Sequence, residues 1–311
     1  MENFQGKEWV FIINPVAGNG FARRFVPELK AALQEYQVDA ELVYTTGKGH
    51  ASELAGDYAS RGFKYIIGVG GDGTLNEIAQ SLVNNKAVTF GVIPAGTGND
   101  FIQILGFRER FEAEDWKIFF ELNTRDMDVG SCNGISFING MGLGFDAQVA
   151  AQNYEQNNGR KSRKGGKSKY IWHILKTLLF FREKKMRVLS NGNDRETRCF
   201  IHTISIGRRF AGGFFLTPKA IANDGMLDVC SIKELSLLQR LNLLMKVPGG
   251  THIYNQRVHY YQTDRIILEF PAEVPFHVDG ELNFSSRFEV GISPDALRTI
   301  YNPNGKHFFK N

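Results

Sequence analysis

Four glycine-bearing stretches hold the residues best suited to chemistry: NPVAG at 14–18, TTGKGH at 45–50, GGDGT at 70–74 and PAGTGND at 94–100. Successive glycines let backbone N–H groups converge on an anion, and a helix that follows at once adds the positive end of its dipole, so phosphate is the natural ligand of GGDGT. Asp72 sits awkwardly in that loop, because a carboxylate repels phosphates. A Mg²⁺ ion held between the two removes the conflict, and nothing in the neighbouring sequence gives Asp72 a structural task. PAGTGND repeats the pattern: Gly96 and Gly98 allow close backbone approach, Thr97 offers a hydroxyl, and Asn99 and Asp100 offer oxygen ligands. Alone it would read as a proline-glycine turn with an Asn-Asp cap. Two such loops at adjacent strand ends point instead to one shared phosphate–metal site.

Those loops need strands behind them and helices after them. The first part of the chain predicts strands at 9–13, 39–45, 65–69 and 89–93, alternating with helices at 22–36, 50–61 and 74–83. This is the rhythm of a parallel sheet covered on both faces, whose ligands lie at the carboxyl ends of its strands. All four stretches fall at such ends. Gly68, Gly70 and Gly73 also satisfy G-x-G-x-x-G, but a dinucleotide site needs an acidic residue closing the next strand, and that strand runs into Ile93-Pro94-Ala95-Gly96. From about residue 126 the texture changes to short β-type runs separated by Gly, Asn and Asp, with helical insertions at 168–181 and 236–246. The expected architecture is α/β plus all-β: a parallel α/β nucleotide-binding domain over 1–126, rejoined by 295–311, then an antiparallel β-sandwich over 127–294, with a cleft between them.

Composition narrows the classes. The 311 residues carry a formal charge of +4, with charges mostly interspersed, so nucleic acid is not an expected partner. Cys132, Cys199 and Cys230 are far apart and form no C-x-x-C pair, which argues against a zinc site or a disulfide framework and fits a reducing cytosol. The apolar stretch 170–181 is broken by His173 and Lys176 and is too short to cross a bilayer. Any membrane contact is expected from the surface.

Taken in order, NPVAG, GGDGT, PAGTGND, FINGMGLGFDA (137–147), AGGFFLTPKAIANDGMLDV (211–229) and HVDGE (277–281) resemble the diacylglycerol kinase catalytic family and its bacterial lipid kinases across nearly the whole chain. GGDGT alone is shared with NAD kinases and phosphofructokinases; the ordered set is far more specific. The resemblance implies ATP contacts at Asn14, Pro15, Gly18, Thr46, Gly70, Gly71, Asp72, Gly73, Thr74, Leu75, Asn76 and Thr97. It implies that Asp72, Asp100 and Asp128 surround the nucleotide Mg²⁺, largely through water, and that Ile221, Asp224 and Met226 hold a structural Mg²⁺ or Ca²⁺. By itself IANDGM also reads as a hairpin turn. Glu281 matches the proposed base, which would take the proton of a lipid hydroxyl; by itself it also reads as a solvated turn carboxylate, and Asp72 is the rival base.

The implied activity is an ATP- and Mg²⁺-dependent lipid kinase acting on diacylglycerol or a similar lipid alcohol, cytoplasmic and peripheral on the inner face of the membrane, with homodimerisation left open. The alternatives are an NAD or sugar kinase on the same nucleotide fold and a non-catalytic nucleotide- or lipid-sensing module. GRKSRKGGKSK at 159–169 precedes an aromatic-rich helix. Either its cations meet anionic headgroups while Trp172, Phe180 and Phe181 enter the interface, or it is a loop beside a helix packed on the β-domain. After Asp100 the chain runs Phe101-Ile102-Gln103, where many relatives carry a basic residue.

Overall fold

The computed structural model describes residues 8–157, 160–163 and 176–310. The chain divides into two compact units. One holds the described residues through Val129, together with Ile221–Gly225 and the stretch from Ser293 onward; the other holds Gly130–Ala220 and Met226–Ile292.

In the first unit β1 (Trp9–Ile13), α1 (Ala17–Glu35), β2 (Ala40–Tyr44), α2 (His50–Ser60), β3 (Tyr65–Gly70), α3 (Asp72–Leu82) and β4 (Thr89–Pro94) alternate, and α4 (Ala113–Phe120) follows. The strands lie in the order β2-β1-β3-β4, all parallel. Strands covered on both faces need apolar residues at every position, which is why WVFII and YIIGVG do not alternate. Each helix commits one stripe to the sheet; Leu75, Ile78, Ala79 and Leu82 of α3 are all buried. A reciprocal capping box between Glu112 and Asp115 starts α4, and its Trp116 stacks on Phe25 of α1 at 5.8 Å.

The two elements that carry the glycine loops begin differently from the sequence expectation. Helix α3 starts at Asp72 rather than Thr74, so Asp72, Gly73 and Thr74 open its first turn and an extended Gly71 precedes it. In α1 the residues Gly18, Asn19 and Gly20 are left-handed, so the regular helix begins beyond them.

In the second unit the end of β5 (Thr124–Cys132) pairs with β6 (Ile135–Phe137), and β7 (Gly140–Gly144) runs into α5 (Phe145–Asn153). The hairpin β8 (Tyr154–Asn157) and β9 (Arg160–Arg163) follows, then a helical stretch at 176–180. The remainder is β10 (Lys185–Ser190), β11 (Asn193–Ser205), β12 (Leu227–Lys233), α6 (Leu237–Lys246), β13 (Val258–Thr263), β14 (Arg265–Val278) and β15 (Glu281–Ile300), whose last residues reach β4 of the first unit's sheet through Thr299 and Phe90. The ladder β13-β12-β11-β10-β14-β15 is antiparallel throughout. β11 and β14 each shift register, near Cys199 and between Glu269 and Val274, and each pairs with β10 on one side of the shift and with β7 on the other. Bulged long strands that change partners in this way wrap the ladder around its own core.

Of the basic stretch 159–169, only Arg160–Arg163 lie among the described residues, as strand β9; Trp172 lies outside them. Phe180 is exposed, whereas Phe181 packs edge-on against Phe145 and Phe200 and so turns inward, not toward an interface. No helix of the described residues is long and apolar enough to cross a membrane.

Candidate active site

The first unit gathers three of the four glycine loops into one interlocked group. Asn14 follows β1 directly: its N–H donates to the Val69 carbonyl at 3.0 Å and its Nδ2 donates to the Thr74 hydroxyl at 2.9 Å, tying NPVAG to the first turn of α3. Gly18 is left-handed, and a Cβ there would collide with the Ala95 carbonyl oxygen, so NPVAG also seats against the end of β4. Gly71 and Gly96 meet backbone to backbone. A Cβ on Gly71 would come within 2.9 Å of the Gly96 Cα, and one on Gly96 would come closer still to Gly71. Only glycine permits GGDGT and PAGTGND to lie this close.

Helix α3 has no side-chain cap at Gly71. Its first-turn N–H groups therefore offer an anion site at the positive end of an 11-residue helix. The Asp72 carboxylate turns to the neighbouring loop instead: Oδ2 accepts the Asp100 N–H and Oδ1 the Phe101 N–H, both at 3.1 Å. Asp72 thus has the structural task that its sequence context did not reveal, capping the short 3-10 helix Phe101–Gln103. Asn99 closes its own loop, Oδ1 accepting the Gly96 N–H at 3.0 Å.

Around this group Thr97, Gly73 and Thr46 are exposed, and Asn14, Pro15, Gly18, Gly70 and Asp72 line the turns. Thr46 closes the 45–50 turn by donating its N–H to His50 Nδ1 at 3.0 Å. Thr74, Leu75 and Asn76 are buried. Leu75 places its side chain in the core and its N–H on the Gly71 carbonyl, and Asn76 Oδ1 accepts from Gln80. Sequence reasoning missed Arg110. Its guanidinium donates to the Pro94 carbonyl at 3.1 Å and the Gly96 carbonyl at 2.8 Å, and lies 4.2 Å over the Phe21 ring. It supplies to PAGTGND the cation that Phe101-Ile102-Gln103 lacks; ten residues of separation hid it.

The carboxylates divide by task. Among the described residues no three His, Cys, Asp or Glu side chains come together as direct ligands of one ion. Asp72 and the buried Asp100 are neighbours through the Asp100 N–H. A pair of carboxylates fits Mg²⁺, which keeps most of its waters and takes one or two protein carboxylates beside phosphate oxygens. Asp128, on β5, is employed differently. It is buried, and its two oxygens accept the Gly225 N–H at 2.7 Å and the Asp295 N–H at 2.9 Å. Burial pushes its carboxyl above the ordinary value while those two N–H bonds pull it back. Asp128 therefore also has a backbone-holding role.

That role concerns the segment 221–225. The Asp128 N–H donates to the Ala222 carbonyl, the Ala222 N–H to the Phe308 carbonyl, and the Lys310 N–H to Asn223 Oδ1. Ile221 and Asp224 thus belong to the first unit, and Met226 opens the second.

In the second unit HVDGE forms the two-residue turn between β14 and β15, with Asp279 and Gly280 both left-handed. The Asp279 carboxylate accepts three backbone N–H groups, from Ile138 at 2.8 Å, Asn139 at 3.1 Å and Gly140 at 2.8 Å. It organises the FINGMG segment, and Glu281 stands exposed just past the turn. His277, one residue before β14 ends, bonds Asp146 of GFDA through Nε2 at 3.1 Å, a pairing that 131 residues of separation concealed.

The sequence matches the diacylglycerol kinase catalytic domain over residues 8–132 and the YegS C-terminal NAD kinase beta sandwich-like domain over residues 140–301. A diacylglycerol kinase of Bacillus subtilis (strain 168) is 26% identical over 292 residues, covering 93% of this chain and 92% of that protein. A diacylglycerol kinase of Staphylococcus carnosus (strain TM300) is 24% identical over 299 residues, covering 93% and 96%. The crystal structure of a diacylglycerol kinase from Bacillus anthracis (strain Sterne) superposes with a TM-score of 0.71 over 97% of this chain and 99% of that one, at 21% identity, which establishes the shared fold. With glycine loops interlocked on a parallel sheet and both halves of the chain matched in order, this chain belongs to the diacylglycerol kinase catalytic family, of the kind whose catalytic domain is followed by a YegS-type β-rich domain.

Proposed function

We propose that this protein is an ATP- and Mg²⁺-dependent lipid kinase that transfers the γ-phosphate to the hydroxyl of diacylglycerol or a similar membrane lipid alcohol. The observation that carries the reading is the uncapped first turn of α3, left open because its own Asp72 is engaged by the adjacent loop. The names of the curated relatives supply the substrate class.

In this reading the N–H groups of Gly73 and Thr74 receive the triphosphate, Asn14 and Arg110 keep the flanking loops in register, and Thr97 adds a hydroxyl. Asp72, Asp100 and Asp128 hold the hydrated Mg²⁺, largely through water, and the ion when bound neutralises charge on the phosphates. Phosphoryl transfer asks mostly for positioning and charge stabilisation, so fixed loops of this kind suit it. Glu281 takes the proton of the attacking hydroxyl, and Asp224 with the Ile221 and Met226 carbonyls holds a second, structural ion. The lipid is met at the inner membrane surface.

A second reading has one specific observation in its favour, the likeness of the C-terminal domain to the NAD kinase β-sandwich. One experiment separates them: labelled ATP incubated with the protein against diacylglycerol, phosphatidylglycerol, polyprenol and sphingosine in mixed micelles, and NAD in solution. Label in a lipid alone supports the proposal. Label in NAD alone replaces it, and label in no acceptor despite ATP binding leaves a sensing module.

A further inference from the structure

We infer that the second unit carries a docking face for an anionic lipid bilayer, built from the outward side of α6 and the helical stretch 176–180 pinned beside it. The choice of partner rests on the lipid-kinase reading; the face itself rests on exposure, helical arithmetic and charge.

Helix α6 reads LLQRLNLLMK, apolar on most of its circumference. The fold covers only Arg240 and Leu243, with Leu244 partly covered. Leu238 is 79% exposed, Met245 76%, Leu241 43% and Leu237 40%. At about 100° per residue, positions 237, 241, 245 and 238 form one continuous stripe beside the buried one, and Gln239, Asn242 and Lys246 fill the remaining arc. A helix that needed only to pack on its own unit would carry polar residues along that second stripe.

The neighbouring stretch repeats the feature. Arg240 donates from Nη1 to the Leu178 carbonyl at 2.7 Å and from Nη2 to the Phe181 carbonyl at 3.0 Å, and pairs with Glu183 at 2.7 Å. This fixes 176–181 against α6, with Leu178 and Leu243 in one core cluster. Leu179, 56% exposed, and Phe180, 74% exposed, remain outside. These two short segments hold more than half of the exposed large apolar side chains of the described residues. Concentration of this kind marks an interaction surface.

Charge selects the partner. From Leu235 to Gln262 the chain contains no Asp or Glu, while Lys246 and Arg257 are exposed there. Around 176–185 the exposed charges are Lys176, Arg182, Lys184 and Lys185, and the one acid, Glu183, is buried against Arg240. Tyr254 is 76% exposed, with the Lys219 ammonium 5.6 Å from its ring. Two exposed acids border this region, Glu234 just before α6 and Glu196 paired with Lys185 at 2.6 Å, and the cations outnumber them. Apolar residues that enter the acyl boundary and a predominantly cationic surround that meets headgroup phosphates are the chemistry of an anionic bilayer. Pairing with a second copy through the same face would set two cationic rims against each other.

The test uses the full chain and vesicles that contain neither substrate lipid nor ATP: phosphatidylglycerol–phosphatidylcholine mixtures against phosphatidylcholine alone. The parent protein is expected to sediment with the anionic vesicles in a salt-sensitive manner. Leu238→Gln/Met245→Gln should bind them about tenfold more weakly, with an unchanged melting temperature and undiminished phosphorylation of a water-soluble short-chain diacylglycerol. Equal vesicle binding by variant and parent overturns the inference. So does a shift from dimer to monomer in the variant with vesicle binding intact, which would make the face an interface between copies. If no lipid accepts phosphate yet the variant still loses the anionic vesicles, the docking face stands and the substrate reading falls.

Discussion

The Asp72 carboxylate accepts the Phe101 N–H at 3.1 Å, so the acidic residue of GGDGT also caps the helical turn that follows PAGTGND. The same side chain accepts the Asp100 N–H, and two functions of Asp72 can therefore be separated by substitution. Asp72→Asn retains one amide oxygen as acceptor and removes the charge that holds Mg²⁺. Asp72→Ala removes the cap as well, at about 1–2 kcal/mol. Both variants should lose lipid-kinase turnover; the Asn variant, which keeps one of the two acceptors, should unfold in urea at a midpoint between those of the parent and the Ala variant. Turnover by Asp72→Asn close to the parent at saturating Mg²⁺ would take Asp72 out of the metal site and leave only the cap.

The contact between Gly71 and Gly96 makes a prediction about loops rather than charges. Gly96→Ala places a methyl inside the Gly71 backbone, where no flexible side chain can yield. Overpacking of this kind costs about 1–3 kcal/mol, and relief requires the two loops to separate. ATP affinity should fall together with stability, whereas alanine at Gly73, where a Cβ meets nothing within 4 Å, should leave stability nearly unchanged. Calorimetry with ATP and thermal unfolding of the two variants check the contrast.

The sequence made the parallel half legible because the central strands β1 and β3 are unbroken apolar runs and each helix shows one stripe; β1, β2, β3 and β4 lie within a residue or so of their expected ends. The glycine loops were legible for the same reason that they pack: no other residue fits Gly71 against Gly96. What stayed hidden depends on distant partners. Asp72 spends its carboxylate on backbone 28 and 29 residues away, Asp128 on Gly225 and Asp295, and Asp279 on Ile138–Gly140. An aspartate that accepts backbone N–H groups and one that holds a metal look identical in a sequence. Helix α5 was missed because FDAQVAAQN has no sustained apolar stripe, and Arg110 because it reaches back to a loop from ten residues downstream.

His202 gives a pH test independent of the reaction. It is wholly buried on β11, with Nδ1 at 3.0 Å from the Ser231 hydroxyl, and burial, helped by Arg195 and His259, drives its imidazole down to about 3. The unfolded chain protonates this side chain near its ordinary value of about 6.5, so between those two values the unfolded state binds the extra proton. The stabilisation from keeping His202 neutral is fully present above pH 6.5 and is lost as pH falls toward 3. From pH 7 to pH 5 this amounts to about 2 kcal/mol. His202→Gln removes the titrating group, so the stability gap between parent and variant should narrow by that amount over this interval in urea unfolding. A gap that stays constant from pH 7 to pH 5 would mean that His202 is charged in the folded protein.

The last prediction separates the two carboxylates of the DGE turn. Asp279 accepts three backbone N–H groups, so Asp279→Ala leaves the Ile138, Asn139 and Gly140 donors without their acceptor; each lost partner of this kind costs about 1–3 kcal/mol. That variant should unfold at a distinctly lower temperature. Glu281 is exposed beside it, and the three N–H groups of 138–140 bond Asp279 instead. Glu281→Gln should therefore change stability by no more than about 0.5 kcal/mol. If Glu281 takes the proton of the lipid hydroxyl, the same variant should keep its ATP affinity while kcat falls by a factor of about 10²–10⁴, the usual contribution of a general base. The acidic limb of its pH–rate profile should also change, because an amide cannot accept the proton. Hydrolysis of ATP by water serves as the control. Its loss in step with lipid phosphorylation would point to a disturbed phosphate site, whereas its persistence isolates the proton transfer. Full lipid-kinase activity in Glu281→Gln with an unchanged profile would move the base to Asp72, whose own substitution by Asn then becomes the decisive comparison.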